Sequence, residues 1–344
     1  AESAHFLLET VGEDVIRTIP RFFYKYRGIE KIAEGRNVEG TLLLAERFSG
    51  TSAFAHSLAF CRAVEEIAKI ETPRRARALR VLLAELERLR HHAGAIAGIC
   101  ASTALAVATS QAAIVEEELL RLTCRLTGHR YLFGLNTPGG LTVDFSSEAV
   151  QSLARAVQGP TKKLIELREM LRFDSSFLDR LEEVGIVTRD QAVSYGLVGP
   201  VARASGVDRD LRRGQPYGGY DQLGFSVPVE QEGDGYARLR ILFAEAEESA
   251  RLVEEVASGL PGGAVLCPAF EVPPGAALGW VEAPRGAAFH WLRTGEGGRV
   301  VRFRVTPPSF TNWHGFHLAA ENFAFQDFPI IMATFGLSNA ESDR

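Results

Sequence analysis

Three successive stretches constrain the fold more than any other feature: Ala53 to Lys69, about Arg74 to Gly98, and about Leu105 to Leu126. The first two repeat apolar residues at helical spacing, with Phe54, Leu58, Cys61, Val64 and Ile67 in the first and Leu79, Leu82, Leu83, Leu86 and Leu89 in the second. Thr72-Pro73 ends the first and opens the second, because proline suits a first helical turn and not a helix interior. The third is rich in small residues before Ile114, Leu119, Leu120 and Leu122. Long helices joined by so few residues bury their apolar stripes against one another, antiparallel, as a bundle.

The remaining segments are built around that bundle. Helical spacing recurs over 21–46, 147–182 and 236–258, while Gly128 to Phe145 reads as an ordered Gly- and Pro-rich loop. Residues 1–20 alternate loosely, as one or two edge strands do, and Leu278–Glu282, Ala287–Thr294 and Val300–Val305 read as three more, with a hairpin turn at Gly295–Gly298. Phe310 to Asn322 reads as a helix, and Pro329 to Phe335 as a short apolar strand or helix. The expected class is α+β, mainly α, as a single unit over 1–344. It comprises an N-terminal β edge (about 1–20), a helical core (about 21–260), a β element (about 278–306) and a C-terminal segment (307–344).

With 46% hydrophobic and 24% charged residues the composition is that of a globular domain, and a net charge of -5 argues against a nucleic-acid binder. No apolar run is long enough to span a bilayer, and the first ten residues lack the pattern of a secretory signal. Cys61, Cys100, Cys124 and Cys267 are too far apart for any C-x-x-C or zinc spacing, so they read as buried thiols. A redox role would have to be played without a thiolate-bound metal.

Several polar clusters carry potential chemistry. Glu30, between Arg27 and Lys31, reads as part of a solvated helical face, and as a proton carrier only if it is buried beside a cation. Ser49-Gly50-Thr51-Ser52 precedes a helix and reads as a cap, with His56 one turn inside. Glu85, Arg88, His91 and His92 suit a buried polar ladder better than a metal site, since adjacent histidines on a helix diverge. Residues 199–221, dense in Arg, Asp, Tyr and Gly and holding Arg203 and Asp210, read as an interface or binding loop. Arg285, fixed by Pro284 at a strand end and followed by His290, reads as projecting into a cleft.

In order along the chain, YRGIEKIAEGR (26–36), ERFSGTSAFAHSLAF (46–60), LLAELERLRHH (82–92), YLFGLNTPGG (131–140), YGLVGPVARASG (195–206), EAPRG (282–286), PPSFTNW (307–313), DFPIIMATF (327–335) and SDR (342–344) resemble the large subunit of nickel–iron hydrogenases. They are more similar still to the hydrogenase-derived subunit of respiratory complex I and of formate hydrogenlyase-type complexes. The resemblance implies a metal-free subunit of a complex I-like oxidoreductase of the NADH-, ferredoxin- or formate:quinone type. It would be peripheral to membrane subunits on the cytoplasmic face of the plasma membrane, docked beside an iron–sulfur subunit that holds the cluster, with no cofactor of its own except quinone as candidate ligand. The alternative is a non-catalytic scaffold in such a complex.

In metal-binding members, two C-x-x-C pairs hold nickel and iron, and the resemblance places them at Ser49, Ser52, Ser338 and Glu341. Hard oxygen donors replace all four soft thiolates, which argues against hydrogenase activity. In the complex I relatives a Tyr near the first pair and a His in an N-terminal loop bind the quinone headgroup. Gly50 stands where that Tyr is expected, and the His loop falls before Ala1, with His5 not matching. The resemblance leaves Arg27, Glu30, His56, Arg285 and the Arg203/Asp210 loop as cavity and proton-path candidates, with Gly50 and Thr51 at a quinone-type cavity.

Overall fold

The computed structural model describes residues 3–344 and places a helical bundle against a small antiparallel sheet. The chain opens with a hairpin of β1 (His5–Val11) and β2 (Asp14–Arg21), then α1 (Ile29–Ala33), α2 (Val38–Arg47) and the long helices α3 (Ala53–Ala68), α4 (Arg74–Ser102) and α5 (Ala106–Thr127). A two-residue ladder of β3 (Asn136–Thr137) and β4 (Gly140–Leu141) leads to α6 (Ser147–Leu171). Four short helices follow, α7 (Ser175–Leu178), α8 (Arg189–Ser194), α9 (Gly199–Ala204) and α10 (Leu211–Gly214), and then α11 (Gly235–Ser258). Strands β5 (Gly275–Ala283), β6 (Gly286–Thr294) and β7 (Val300–Thr306) form the sheet, and α12 (Pro308–Ala319), β8 (Phe323–Ala324), α13 (Phe328–Phe335) and α14 (Asn339–Ser342) close the chain.

Helices α4, α5, α6 and α11 pack side by side as the bundle. Their shared core takes Leu79, Leu82, Leu86 and Leu89 from α4, Ala108 and Ala112 from α5, Leu164 and Leu167 from α6, and Leu239 and Val253 from α11. A fully buried leucine of this kind stabilises by about 2 kcal/mol. The small residues of α5 let its backbone approach α4, which is why that helix reads as weakly periodic in the sequence.

Helix α3 lies between the bundle and the sheet. Its close seat on β5 depends on Gly279, where a Cβ would stand 1.9 Å from Ala59 O and 2.8 Å from Ala63 N. Strand β6 is the middle strand, paired on both sides, and the pairing of Gly279 with His290 turns the His290 ring toward α3.

Several boundaries differ from the periodicity. The expected helix over 147–182 stops at Leu171, because Asp174 accepts from Phe177 N and starts a new turn, α7. Helix α4 runs one turn past Gly98, to Ser102. Residues 21–28 are not helical, and 29–47 split into α1 and α2, with Asn37 capping the second. The N-terminal hairpin is not a free edge, since β2 also pairs with β8. Of the two readings open for Pro329 to Phe335, the helix is the one that forms, as α13.

Candidate functional site

Glu341 anchors the cluster that gathers Ser49, Ser52 and Ser338. It sits in α14 with no exposure, 292 residues from Ser49, whose Oγ donates to Glu341 Oε1 at 3.1 Å. Ser309 N, in the first turn of α12, donates to Oε2 at 3.0 Å. Arg285, at the β5–β6 turn, brings Nη1 to 3.4 Å from Glu341 Oε1, 3.3 Å from Ser52 Oγ and 2.9 Å from Thr51 Oγ1, while Nε donates to Gly336 O at 2.6 Å. Ser338 joins through its backbone N–H, which donates to Ser309 Oγ at 3.0 Å. Burial alone would push the Glu341 carboxyl up, but His56, the Arg285 charge and Ser309 outweigh it and hold it at about 2.

His56 is fully buried one turn into α3, with Nδ1 3.0 Å from His290 Nε2 and Nε2 3.9 Å from Glu341 Oε1. A carboxylate repels a ring lone pair, so the proton positions follow. The tautomer that puts a proton on His56 Nε2, facing Glu341, leaves Nδ1 to accept from His290 Nε2–H. Burial and then His56 push His290 far below the ordinary histidine range.

The Arg285 turn is held by backbone proximity. Gly199, with φ of 68°, approaches so closely that a Cβ there would lie 2.1 Å from Arg285 O. Arg27 ties the other side together: Nη2 donates to Phe48 O at 2.8 Å and Ala340 O at 2.6 Å, and Arg27 N donates to Asp343 O at 2.9 Å.

The structure thus brings Ser49, Ser52, Thr51, His56, Arg285 and Glu341 together and sets other candidates apart. Gly50 and Thr51 form an exposed turn over the cluster. Glu30 is buried rather than on a solvated face; it accepts from Val305 N at 2.9 Å and Arg344 Nε at 3.3 Å and pairs with Arg304. The loop with Arg203 and Asp210 is not a surface loop at those residues: both are buried and ion-paired beneath β5. Ser49 and Ser52 do not cap α3 either.

That cap comes from a residue the motifs gave no reason to select. Glu87 of α4 accepts from Phe54 N at 2.8 Å and Ala55 N at 2.9 Å, and Arg90, one turn on, donates to Thr51 O. Burial pushes Glu87 up to about 7, opposed by Arg90 and the two N–H groups. Glu87 and Arg90 clamp the 49–55 segment. Their only trace in the sequence is a pair of charges at helical spacing within a helix whose leucines mark it as buried.

A nickel–iron centre does not fit this arrangement. The donors are hydroxyls and one carboxylate, and the Arg285 cation already lies against that carboxylate and against Ser52.

The "Respiratory-chain NADH dehydrogenase, 49 Kd subunit" family matches residues 105–269 and 265–344, and the "Nickel-dependent hydrogenase" family matches 27–94. The chain is 33% identical over 259 residues to the first D-type subunit of the NADH-quinone oxidoreductase of Chloroherpeton thalassium, covering 75% of this chain and 59% of that one. It is 31% identical over 345 residues to formate hydrogenlyase subunit 5 of Escherichia coli, covering all of this chain and 61% of that one. With the D-type subunit of the NADH-quinone oxidoreductase of Clostridium beijerinckii it shares 30% identity over 336 residues, covering 97% of this chain and 91% of that one. The chain therefore spans about three fifths of the first two relatives' length.

Proposed function

The chain belongs to the family of the respiratory-chain NADH dehydrogenase 49 Kd subunit, and from that premise we propose that it is a metal-free subunit of a complex I-like, membrane-associated oxidoreductase. In that role it forms one wall of a quinone-type acceptor site beside an iron–sulfur subunit, peripheral to membrane subunits on the cytoplasmic face. Among the described residues no helix is long and apolar enough to cross a membrane, which fits a peripheral position.

The observation that carries this reading is the lip over Glu341. Arg285 stays partly exposed, Thr51 Oγ1 lies 2.9 Å from it, and Gly50 leaves the turn open. A quinone headgroup offers two carbonyl oxygens, and a guanidinium and a hydroxyl are donors suited to them. The quinone supplies the electron chemistry, and these residues supply position and polarity. The test is quinone-reductase turnover and quinone-analogue binding in the assembled complex. Arg285→Ala is expected to lower kcat/KM for quinone about tenfold or more, the scale of a lost hydrogen bond to a charged group, with assembly intact. Unchanged kcat/KM and analogue binding would reject the acceptor site.

One observation favours the scaffold alternative: Ser49, Ser52 and Glu341 are already bonded to one another or to Arg285 and Ser309. A pure scaffold predicts normal turnover after joint substitution of Ser49, Ser52 and Glu341 in a complex that still assembles.

A further inference from the structure

A buried cluster on the other side of the Arg285 turn does not balance in charge. Four carboxylates, Glu85, Asp210, Glu245 and Glu282, face three guanidiniums, those of Arg88, Arg203 and Arg212, and every one of these residues is at most 5% exposed. Arg212 bridges Glu85 at 3.0 Å and Asp210 at 2.7 Å, while Arg203 bridges Glu245 at 2.6 Å and Glu282 at 2.9 Å. Arg88 completes the set, 3.4 Å from Glu85 and 3.6 Å from Glu245. Three positive charges cannot neutralise four negative ones, and a buried charge without a counterion is costly. One bound proton restores neutrality.

The geometry decides where that proton sits. His92 is the remaining titratable partner, with Nε2 2.9 Å from Glu245 Oε2. A neutral ring already supplies that donor, and a second proton would fall on Nδ1, which is buried without a partner among the described residues. Burial pushes His92 down in the same sense. Glu85 accepts from Arg212, Tyr220 and Ser249; Asp210 from the Arg212 side chain and backbone; Glu245 from Arg203 and His92. Glu282 is the least supported, with Arg203 Nη1 at 2.9 Å on one oxygen and Leu211 N at 3.1 Å on the other.

Glu282 also differs from the other three in access. It lines a cavity of about 360 Å³ between residues 196–199 and 208–215, floored by Ala287 and Phe289 on the outer face of the sheet and open to solvent. Asp210 lines it too, and the charged groups at its rim are Asp208, Arg209 and Arg213, with Arg213 paired to Asp208. From the bundle side Arg88 donates to Glu282 O and Ala283 O, and Tyr217 OH accepts from Glu282 N.

We propose that Glu282 is a proton-binding site: its carboxyl carries the proton that neutralises the buried cluster and exchanges it with solvent through the cavity. Burial and the neighbouring Asp210 carboxylate push this group up, against Arg203 and Arg88, which supports the assignment. The site lies three residues before Arg285 on the same hairpin, and it stands whether or not quinone binds there.

Infrared difference spectroscopy of the full chain in its native complex tests this. Near neutral pH the wild type should show a protonated-carboxyl stretch that shifts rapidly in heavy water and that Glu282→Gln removes. Asp210→Asn deletes one negative charge, so it should lower the pH at which that band disappears. Absence of any such band in the wild type overturns the proposal, a measurement that requires no variant to fold. So does a band that survives Glu282→Gln and is lost instead in Glu87→Gln, the other buried carboxyl that burial raises.

Discussion

Arg285 and Glu341 meet at 3.4 Å, so a guanidinium–carboxylate pair joins the β5–β6 turn to the C-terminal helix α14. Glu341 is fully buried while Arg285 keeps part of its side chain exposed, so the guanidinium neutralises a carboxylate that water does not reach.

Glu341 makes the protein acid-sensitive in a defined window. Its folded-state value of about 2 lies below the ordinary 4.5, so its contribution is fully present above about pH 4.5 and is lost as pH falls through about 2. The depression corresponds to about 3 kcal/mol. Denaturant melts across that range should show the loss in the wild type and its absence in Glu341→Gln, which is also less stable at neutral pH by about 1–3 kcal/mol.

Glu87→Ala should loosen the site from behind. It removes the acceptor of two helix N–H groups, and losing such a cap costs about 1–2 kcal/mol. Amide hydrogen exchange at Phe54 and Ala55 should accelerate selectively. Unchanged protection there would show that water replaces the carboxylate at no cost.

Gly279→Ala should be among the most damaging small substitutions in the chain. The added Cβ meets backbone atoms of α3, which cannot swing aside, and a cost of about 3 kcal/mol or more follows from overpacking. Thermal melts read the loss. Since β5 and β6 carry Arg285 and His290 into the site, any residual folded protein should also bind quinone analogue more weakly.

Metal analysis addresses the donor set. The purified complex should contain no stoichiometric nickel attributable to this chain, because hydroxyls and an ion-paired carboxylate are poor ligands for that chemistry. Stoichiometric nickel abolished by Glu341→Ala would contradict it.

The family resemblance was legible in the sequence because it rests on nine short motifs in fixed order. The Glu87 cap was not legible, since nothing in ELERLR says which of two glutamates meets the N-terminus of α3. Glu30 looked solvated because its partners, Arg304 and Arg344, lie more than 270 residues away.

By itself, then, the sequence determined the helices α3 to α5, the start of α6 and α11, the strands β5 to β7, and the absence of any C-x-x-C pair. Each depends on spacing within a turn, on alternation within a strand, or on residue identity at one position. Tertiary structure alone decided that Ser49, Arg285 and Glu341 close into one cluster, that His290 meets His56, and that four buried carboxylates face three guanidiniums. Those relations join residues tens to hundreds of positions apart, where distance is set by how α3 seats on the sheet and α4 on α11, and no local periodicity encodes it.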